Sequence, residues 1–312
     1  MAESESFEKL RPRMFAIAYR MLGSVSDAED IVQEAFLRYQ GALRGGTEIG
    51  SLRAYLSAVV TRLSIDHQRS ARVRREDYFG VWLPEPLLTD TGDNDPTVVA
   101  EEADSLSMAF LLLLERLGPV ERAAFLLHDV FGYGYDEIAR IVGKGEANCR
   151  QIVARARARI QADRPRYEAT PEQRERLAAH FFAAITSGDL DGLVQLLAED
   201  AIIYGDGGGK APQLSKPVVG AMQLARLLTG WGRQMRQLGL RFLRRRVNGQ
   251  PGAVLVDQDG LYLGVFALEI DQGVVRTVRS VINPDKLRHL GPVADAWALQ
   301  RRLTGKQQKR EI

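Results

Sequence analysis

Apolar positions recur at three- and four-residue steps through most of the first 160 residues, the spacing of one buried helix face. Phe7, Leu10, Met14, Ile17, Ala18 and Met21 form the first stripe. Gly23 stops it, and Ser26 followed by Glu29 offers a capping box for the next helix, whose apolar side is Ile31, Val32, Ala35, Phe36 and Tyr39. A loop with Gly41, Gly45, Gly46 and Gly50 follows. Leu52, Leu56, Val59, Val60, Leu63 and Ile65 then predict a long helix from about Ser51 to Arg75. The pattern fails over 77–100, where Pro84, Pro86, Gly92 and Pro96 sit among Asp90, Asp93, Asn94 and Asp95. This reads as a linker, with an apolar WLPEP string (Trp82, Leu83, Pro84, Glu85, Pro86) that is able to dock.

Helical spacing resumes over 101–162. Gly118–Pro119 divides two helices, and FGYGYDEIARIVGKGEANCRQIVARARARI then gives a short helix, a glycine turn and a basic helix. Ile138, Ile141 and Val142 face inward on the first, and Cys149, Ile152, Val153, Ala156 and Ile160 on the second. The lengths suit a helix-turn-helix. Beyond Pro165 come two helices, with Leu177, Phe181 and Ile185, then Leu190, Leu193, Leu196 and Leu197. After Ala201 the period changes. Ile202–Tyr204, Val247, Ala253–Val256, Gly260–Ile270 and Val274–Val281 are β-branched and aromatic runs broken by Gly and Asp, with a helix near 219–238 between them. The expectation over 166–290 is an α+β domain, and over 291–312 a tail whose polar, basic end from Arg301 to Ile312 frays.

Composition adds bounds. A chain of 312 residues suggests two or three domains. The single cysteine, Cys149, rules out an intrachain disulfide and a Cys-based metal site, and its place on the inner stripe makes it a small core residue. His67, His128, His180 and His289 lack metal-ligand spacing, so no cofactor is expected. No apolar run approaches the roughly 18 residues of a membrane span, and MAESESFEKLRPR has no signal-peptide core. A cytoplasmic protein that does not enter the membrane is expected.

The net charge of +2 speaks against nucleic-acid binding until it is resolved along the chain. Residues 1–165 carry 21 Lys+Arg and 25 Asp+Glu, and residues 166–312 carry 21 and 15. Arg62, Arg69, Arg72, Arg74 and Arg75 face only Asp66, a cluster suited to tracking phosphates or to a solvated face. On the basic helix, Asn148 and Gln151 suit adenine edges, Arg150 or Arg155 guanine or phosphate, and Arg157 and Arg159 phosphate. The plain alternative there is a structural helix pair. Asp27, Glu29, Asp30 and Glu34 form an acidic face unsuited to DNA. It is either a protein-docking surface or a set of charges favouring the helix dipole.

At this point a resemblance is plain. SDAEDIVQEAFLRYQ and SLRAYLSAVVTRLSIDHQRS resemble domain two of extracytoplasmic-function sigma factors, here 5–76. ERLGPVERAAFLLHDVFGYGYDEIARIVGKGEANCRQIVARARARI resembles domain four, here 101–162. WLPEP, DGGGK (Asp206, Gly207, Gly208, Gly209, Lys210) and NPDKL (Asn283, Pro284, Asp285, Lys286, Leu287) are similar to strings of the subgroup with a SnoaL-like extension. That implies two all-α sigma domains followed by a cone-shaped, NTF2-like α+β domain. Two positions depart from the common pattern: Gly145, where relatives often carry Ser or Thr, and Arg62, where many carry Asn.

The resemblance implies an RNA polymerase sigma factor. Asp30, Gln33 and Glu34 would dock on the clamp of the polymerase largest subunit. The loop of about 40–51 and the helix from Arg53 to Arg75 would capture the minus-ten strand, and the basic helix would read the minus-thirty-five duplex. The C-terminal domain would regulate activity in place of a separate anti-sigma protein, with the WLPEP, DGGGK and NPDKL strings holding it against the sigma domains. SnoaL-like folds also include isomerases and cyclases, for which Asp200, Asp206 and His180 are the available acids and bases; the expectation is a noncatalytic domain whose pocket leaves a small-molecule ligand open. Trp231 and Tyr204 are candidates to line that pocket, with core packing as the plainer role. A free-standing DNA-binding regulator and a SnoaL-like enzyme remain the alternatives.

Overall fold

The computed structural model of the chain describes residues 2–76, 78–89, 105–161 and 170–308. The chain folds as two compact units, residues 1–77 with 110–164, and residues 78–109 with 165–312. The described linker residues are therefore part of the second unit.

In the first unit, α1 (Ala2–Leu22) packs on α2 (Val25–Arg44) and α3 (Leu52–Glu76). The cap between α1 and α2 is not Ser26 but Ser24. Ser24 has extended backbone and accepts from the Asp27 N–H at 3.1 Å, which satisfies one of the four orphan donors of the helix start. Met14, Ile17, Ala18 and Met21 of the expected stripe are all buried, as are Leu56 and Val60 of α3.

After α4 (Met108–Leu114) come α5 (Pro119–Phe125), a π-helical turn (Leu126–Val130), α6 (Tyr135–Val142) and α7 (Glu146–Gln161). Gly143, in the left-handed region at φ 68°, ends α6, a conformation that costs glycine no Cβ clash. The two helices share a core of Ile138, Ile141, Cys149, Ile152 and Val153, with Ala58 of α3 packed against it. Cys149 is fully buried, and burial pushes its thiol above the ordinary range.

The second unit begins its globular part with α8 (Pro171–Ser187), opened by a Thr170–Gln173 capping box, and α9 (Leu190–Leu196), capped by Asp189. The strands are β1 (Leu197–Asp206), β2 (Val218–Val219), β3 (Arg241–Val247), β4 (Gln250–Val256), β5 (Tyr262–Asp271) and β6 (Val274–Val281), with α10 (Ala221–Leu238) after β2. The sheet order is β2-β1-β6-β5-β4-β3, antiparallel except for the β1–β6 pair. Alternate residues such as Ala201 and Ile203, Ala253 and Leu255, or Phe266, Leu268 and Ile270 enter one core with α8, α9 and α10. Register shifts in β1, β4 and β5 mark where the ladder bends.

The end of the chain corrects one expectation. Ala296–Gln308 is a helix, α11, inside the stretch 291–312 expected as a tail; of the residues expected to fray, 301–308 are helical and 309–312 lie outside the described residues. The Asp295 carboxylate accepts from the Ala298 N–H, and Ala296 and Leu299 pack on the domain core. A short apolar face on a basic segment was enough to hold it.

Candidate functional site

The acidic face lies on α2. Asp30 and Gln33 are exposed beside half-buried Glu34, and Leu37, 51% exposed, continues the same side of the helix. Glu34 accepts from Arg38 at 2.8 Å, Glu29 pairs with Arg11, and Asp27 faces His67 at 3.5 Å. Leu37 was missed from sequence because it falls off the buried stripe and reads as a stray apolar residue.

On α7, Asn148, Arg150, Gln151 and Arg155 are exposed. Arg150 pairs with Glu146 and lies 5.3 Å from the centre of the Tyr135 ring. Arg157 is held by both oxygens of Asp129, at 2.9 and 2.7 Å, and Arg159 donates to Glu121 at 3.0 Å. Burial alone would raise the Asp129 carboxyl, but bonds from Arg157 and His128 outweigh it and hold the group below its ordinary value.

On α3, Arg69 pairs with Asp66 at 3.2 Å across an exposed turn. Arg72, Arg74 and Arg75 lie near the end of this helix, and their side chains are outside the described residues. Arg62 has a different environment from that expected of a phosphate contact. Its guanidinium donates to the carbonyls of Ile141, at 2.9 Å, and Arg140, at 2.8 Å. Those carbonyls end α6, where a cation meets both orphan acceptors and the negative end of the helix dipole.

Three further links join residues 2–76 to residues 105–161 of this unit. Ser57 and the Tyr133 hydroxyl meet at 2.5 Å, Arg13 donates to the Phe131 carbonyl at 2.8 Å, and buried Arg122 donates to the Met21 carbonyl at 2.6 Å. The guanidinium groups of Arg13 and Arg53 each stand 5.2 Å from the Tyr133 ring centre.

In the second unit, the three strings meet at one point. The Asp206 carboxylate, fully buried at the end of β1, accepts from the Tyr78 hydroxyl at 2.5 Å, the Leu83 N–H at 2.9 Å and the Lys286 ammonium at 2.7 Å. Lys286 also donates to the Leu83 carbonyl at 2.5 Å. Its ammonium lies 4.8 and 4.6 Å from the ring centres of Tyr78 and Trp82, an aromatic cage around a desolvated cation. Asn283 donates to the Tyr78 hydroxyl at 2.9 Å. Burial and the adjacent Asp206 carboxylate raise the Tyr78 phenol far above its usual value, so it remains a donor.

The remaining residues of the strings support this cluster. NPDKL forms a 3-10 turn, Pro284–Lys286, with Leu287 buried beyond it. Lys210 closes the glycine loop through its N–H to the Gly207 carbonyl and pairs with Asp285. Gly208, at φ 55°, cannot carry a Cβ, because Asn283 occupies that place and the Tyr78 hydroxyl lies 2.9 Å from it. Pro86 and Glu85 continue the strap, with the Pro86 carbonyl accepting from His289 Nε2 at 2.8 Å and Glu85 buried.

The strap then adds to the sheet edge. Leu88 bridges Val247 of β3 in antiparallel fashion, and the Thr89 N–H donates to the Arg246 carbonyl at 2.9 Å. Asn248, at φ 52° in the Asn248–Gly249 hairpin turn, accepts from the Leu87 N–H at 3.0 Å and donates to the Leu106 carbonyl at 3.0 Å. Tyr78 and Asn248 were missed from sequence. An Asn-Gly pair signals only a hairpin, and Tyr78 stands outside the WLPEP string.

The three candidate acid–base residues do not assemble. Asp206 is enclosed as described. Asp200 is exposed on β1 beside Arg276, and His180 lies in a separate shallow cleft with Arg176 and Gln272. None of them lines the large cavity of the domain, which Trp231 does. Among the described residues no His, Cys, Asp and Glu group is arranged to hold a metal ion, and no helix is long and apolar enough to cross a membrane.

Comparison with known proteins follows the same division. The Sigma-70 region 2 model matches residues 7–74, and the Sigma-70 region 4 model matches residues 107–160. The chain is 37% identical to the ECF RNA polymerase sigma factor SigJ of Mycobacterium tuberculosis over 298 residues, covering 91% of this chain and 93% of that one. The chain is an extracytoplasmic-function RNA polymerase sigma factor. A probable sigma factor of this type from the same organism, SigI, is 33% identical and also covers 91% of the chain. The crystal structure of SigJ superimposes with a TM-score of 0.72 at 34% identity, covering 93% of this chain and all of that one. The sigma factor carries both sigma regions in its first unit and the α+β domain with the linker strap in its second, and its sigma regions imply binding to core RNA polymerase and promoter DNA.

Proposed function

We propose that this sigma factor docks on the clamp of the polymerase largest subunit through Asp30, Gln33, Glu34 and Leu37, an exposed acidic face with one apolar anchor. Complementary charge favours such an encounter. Exposed Asn148, Arg150, Gln151 and Arg155 of α7 read the minus-thirty-five duplex, while α3, with Asp66, Arg69, Arg72, Arg74 and Arg75, tracks the minus-ten strand. The factor works in the cytoplasm and carries out no covalent chemistry.

The observation behind the regulatory part of this reading is the Asp206–Lys286 cluster. The described part of the linker between the two sigma regions, residues 78–89, is fastened to the C-terminal domain at several points, so the domain governs how that linker can move. We assign Tyr78 and the WLPEP, DGGGK and NPDKL strings to this regulatory clasp. The centres of the two promoter elements stand about 25 base pairs apart, on the order of 85 Å of duplex. Arg62 meanwhile binds the minus-ten helix to the helix-turn-helix within one unit. Both elements can be engaged together only after that link opens, so Arg62 acts here as a latch.

Run-off transcription with purified core polymerase tests the reading. The full chain is expected to give promoter-specific transcripts only when both components are present. Specific duplex binding with no transcription would favour a free-standing regulator. Charge reversal of Asp30 and Glu34 is expected to weaken core binding, and unchanged affinity would remove the docking assignment.

A further inference from the structure

The strap does more than fasten to the domain, because one of its residues also walls a cavity. The space measures about 770 Å³ and is lined by Trp231, Leu263, Phe266 and Leu299, among others, and by Phe79 of the linker. Phe79 is 71% exposed, yet its ring stands 3.4 Å from where a Cβ would sit on Gly209, which is held at φ 71°. Among the described residues, no Lys, Arg, Asp, Glu or His lines this space. Its polar groups are neutral. They include Ser280 and Gln213, whose Nε2 donates to Ser280 Oγ at 3.1 Å.

A volume in the range of about 300–1,000 Å³, with apolar walls and a few neutral hydrogen-bonding groups, suits a small organic ligand. A charged ligand would lose its hydration with no counter-charge in return. We propose that the cavity binds an uncharged, ring-bearing small molecule that carries one or two hydrogen-bonding groups, and that Phe79 closes over it. Occupancy then buries Phe79 and tightens the strap next to Tyr78, which coupling makes the ligand a regulator of the linker. The second step rests on the regulatory reading above; the binding step does not.

The test uses the full chain and N-phenyl-1-naphthylamine, an uncharged aromatic probe whose emission rises in apolar surroundings. Saturable binding at one site per chain is expected. Leu263→Trp on β5 and Leu299→Trp on α11 fill the cavity from different walls, and each is expected to abolish it. If one of them unfolds by circular dichroism, the other serves. Phe79→Ala is expected to weaken binding about tenfold. Chymotryptic cleavage of the Phe79–Gly80 bond is expected to slow at least threefold in saturating probe, and not in the filled variants.

Non-saturable binding, or binding that survives both fillings, overturns the site. Saturable binding without protection of Phe79 overturns the coupling. A dimer that Phe79→Ala disperses would assign the exposed ring to a second copy of the chain instead. No polymerase or DNA enters these measurements, so their failure leaves the transcription test of the regulatory reading standing, and the converse holds.

Discussion

Helix α7 and the linker clasp are both built from charges, held in opposite ways. On α7 the arginines are exposed and lean on nearby acids: Arg150 on Glu146, Arg157 on Asp129, Arg159 on Glu121. Solvent screens such pairs, and each contributes on the order of 0–1 kcal/mol, so phosphate oxygens can replace the acids at small cost. In the clasp one ammonium and one carboxylate are sealed from water, and their partners include the rings of Tyr78 and Trp82, the Tyr78 hydroxyl and the Leu83 N–H and carbonyl. That arrangement loses heavily when any partner is removed. The first set of charges suits exchange of partners and the second suits permanence, with Arg62 between these two extremes: charged, exposed, but bonded to two backbone carbonyls.

The largest effect is expected from Asp206→Ala, which removes the buried carboxylate that pairs with the Lys286 ammonium. A loss of about 3–5 kcal/mol is expected in urea unfolding of the second unit. Lys286→Met keeps the volume while removing the charge, and is expected to lose a similar amount, because the buried Asp206 carboxylate keeps its bonds from Tyr78 and Leu83 but loses the ammonium. If both variants unfold like the parent, the clasp contributes nothing and the contrast with α7 disappears.

Arg62→Ala is next. It removes two charge-assisted bonds at an exposed site, worth about 1–2 kcal/mol after allowance for solvent. Faster hydrogen exchange in α6 and a larger radius of gyration in solution scattering are expected. An unchanged radius and exchange pattern would mean that the remaining links suffice and Arg62 is no latch.

Gln151→Ala and Arg150→Ala are each expected to cost about 1–3 kcal/mol in binding a minus-thirty-five duplex and to relax preference at one base pair. Equal losses on all sequences would turn them into phosphate contacts.

The smallest effect is expected from Asp129→Asn, below about 1 kcal/mol in stability. Asp129 has a lowered folded value, so its contribution is full above the unfolded carboxylate value near 3.9 and fades as pH falls through the lower folded one. The difference between parent and variant in urea midpoint is therefore expected at pH 7 and not in strong acid. The variant also releases Arg157, and its duplex binding is expected to depend more steeply on salt, by about one phosphate contact.

The sequence was most legible where periodicity decides the outcome. The stripe from Met14 to Met21 and the inner residues of α7 are buried as their spacing requires. The strings WLPEP, DGGGK and NPDKL were visible as candidates for contact, but what they contact was not. Local spacing cannot show that Lys286 lies within a cage made by Tyr78 and Trp82, two hundred residues away. Arg62 shows the same limit. Its charge was legible, but its acceptors are backbone carbonyls, which every residue has and no sequence marks. The helix Ala296–Gln308 was missed because a basic surface outweighs Ala296 and Leu299 in the pattern, although those two are what pack.

The central claim is that the C-terminal domain controls a sigma factor by holding the linker between its two sigma regions. Cutting the chain at Pro165 is a blunt test, since it leaves the strap without Asp206, Lys286 and Asn248. Run-off transcription with core polymerase, comparing the full chain with Lys286→Met at a temperature where both are folded, is more direct. The account predicts promoter-specific transcript from both and a changed yield or promoter-opening rate in the variant. Identical output from the two proteins, with cleavage at Phe79 showing that the strap has been released, would contradict it.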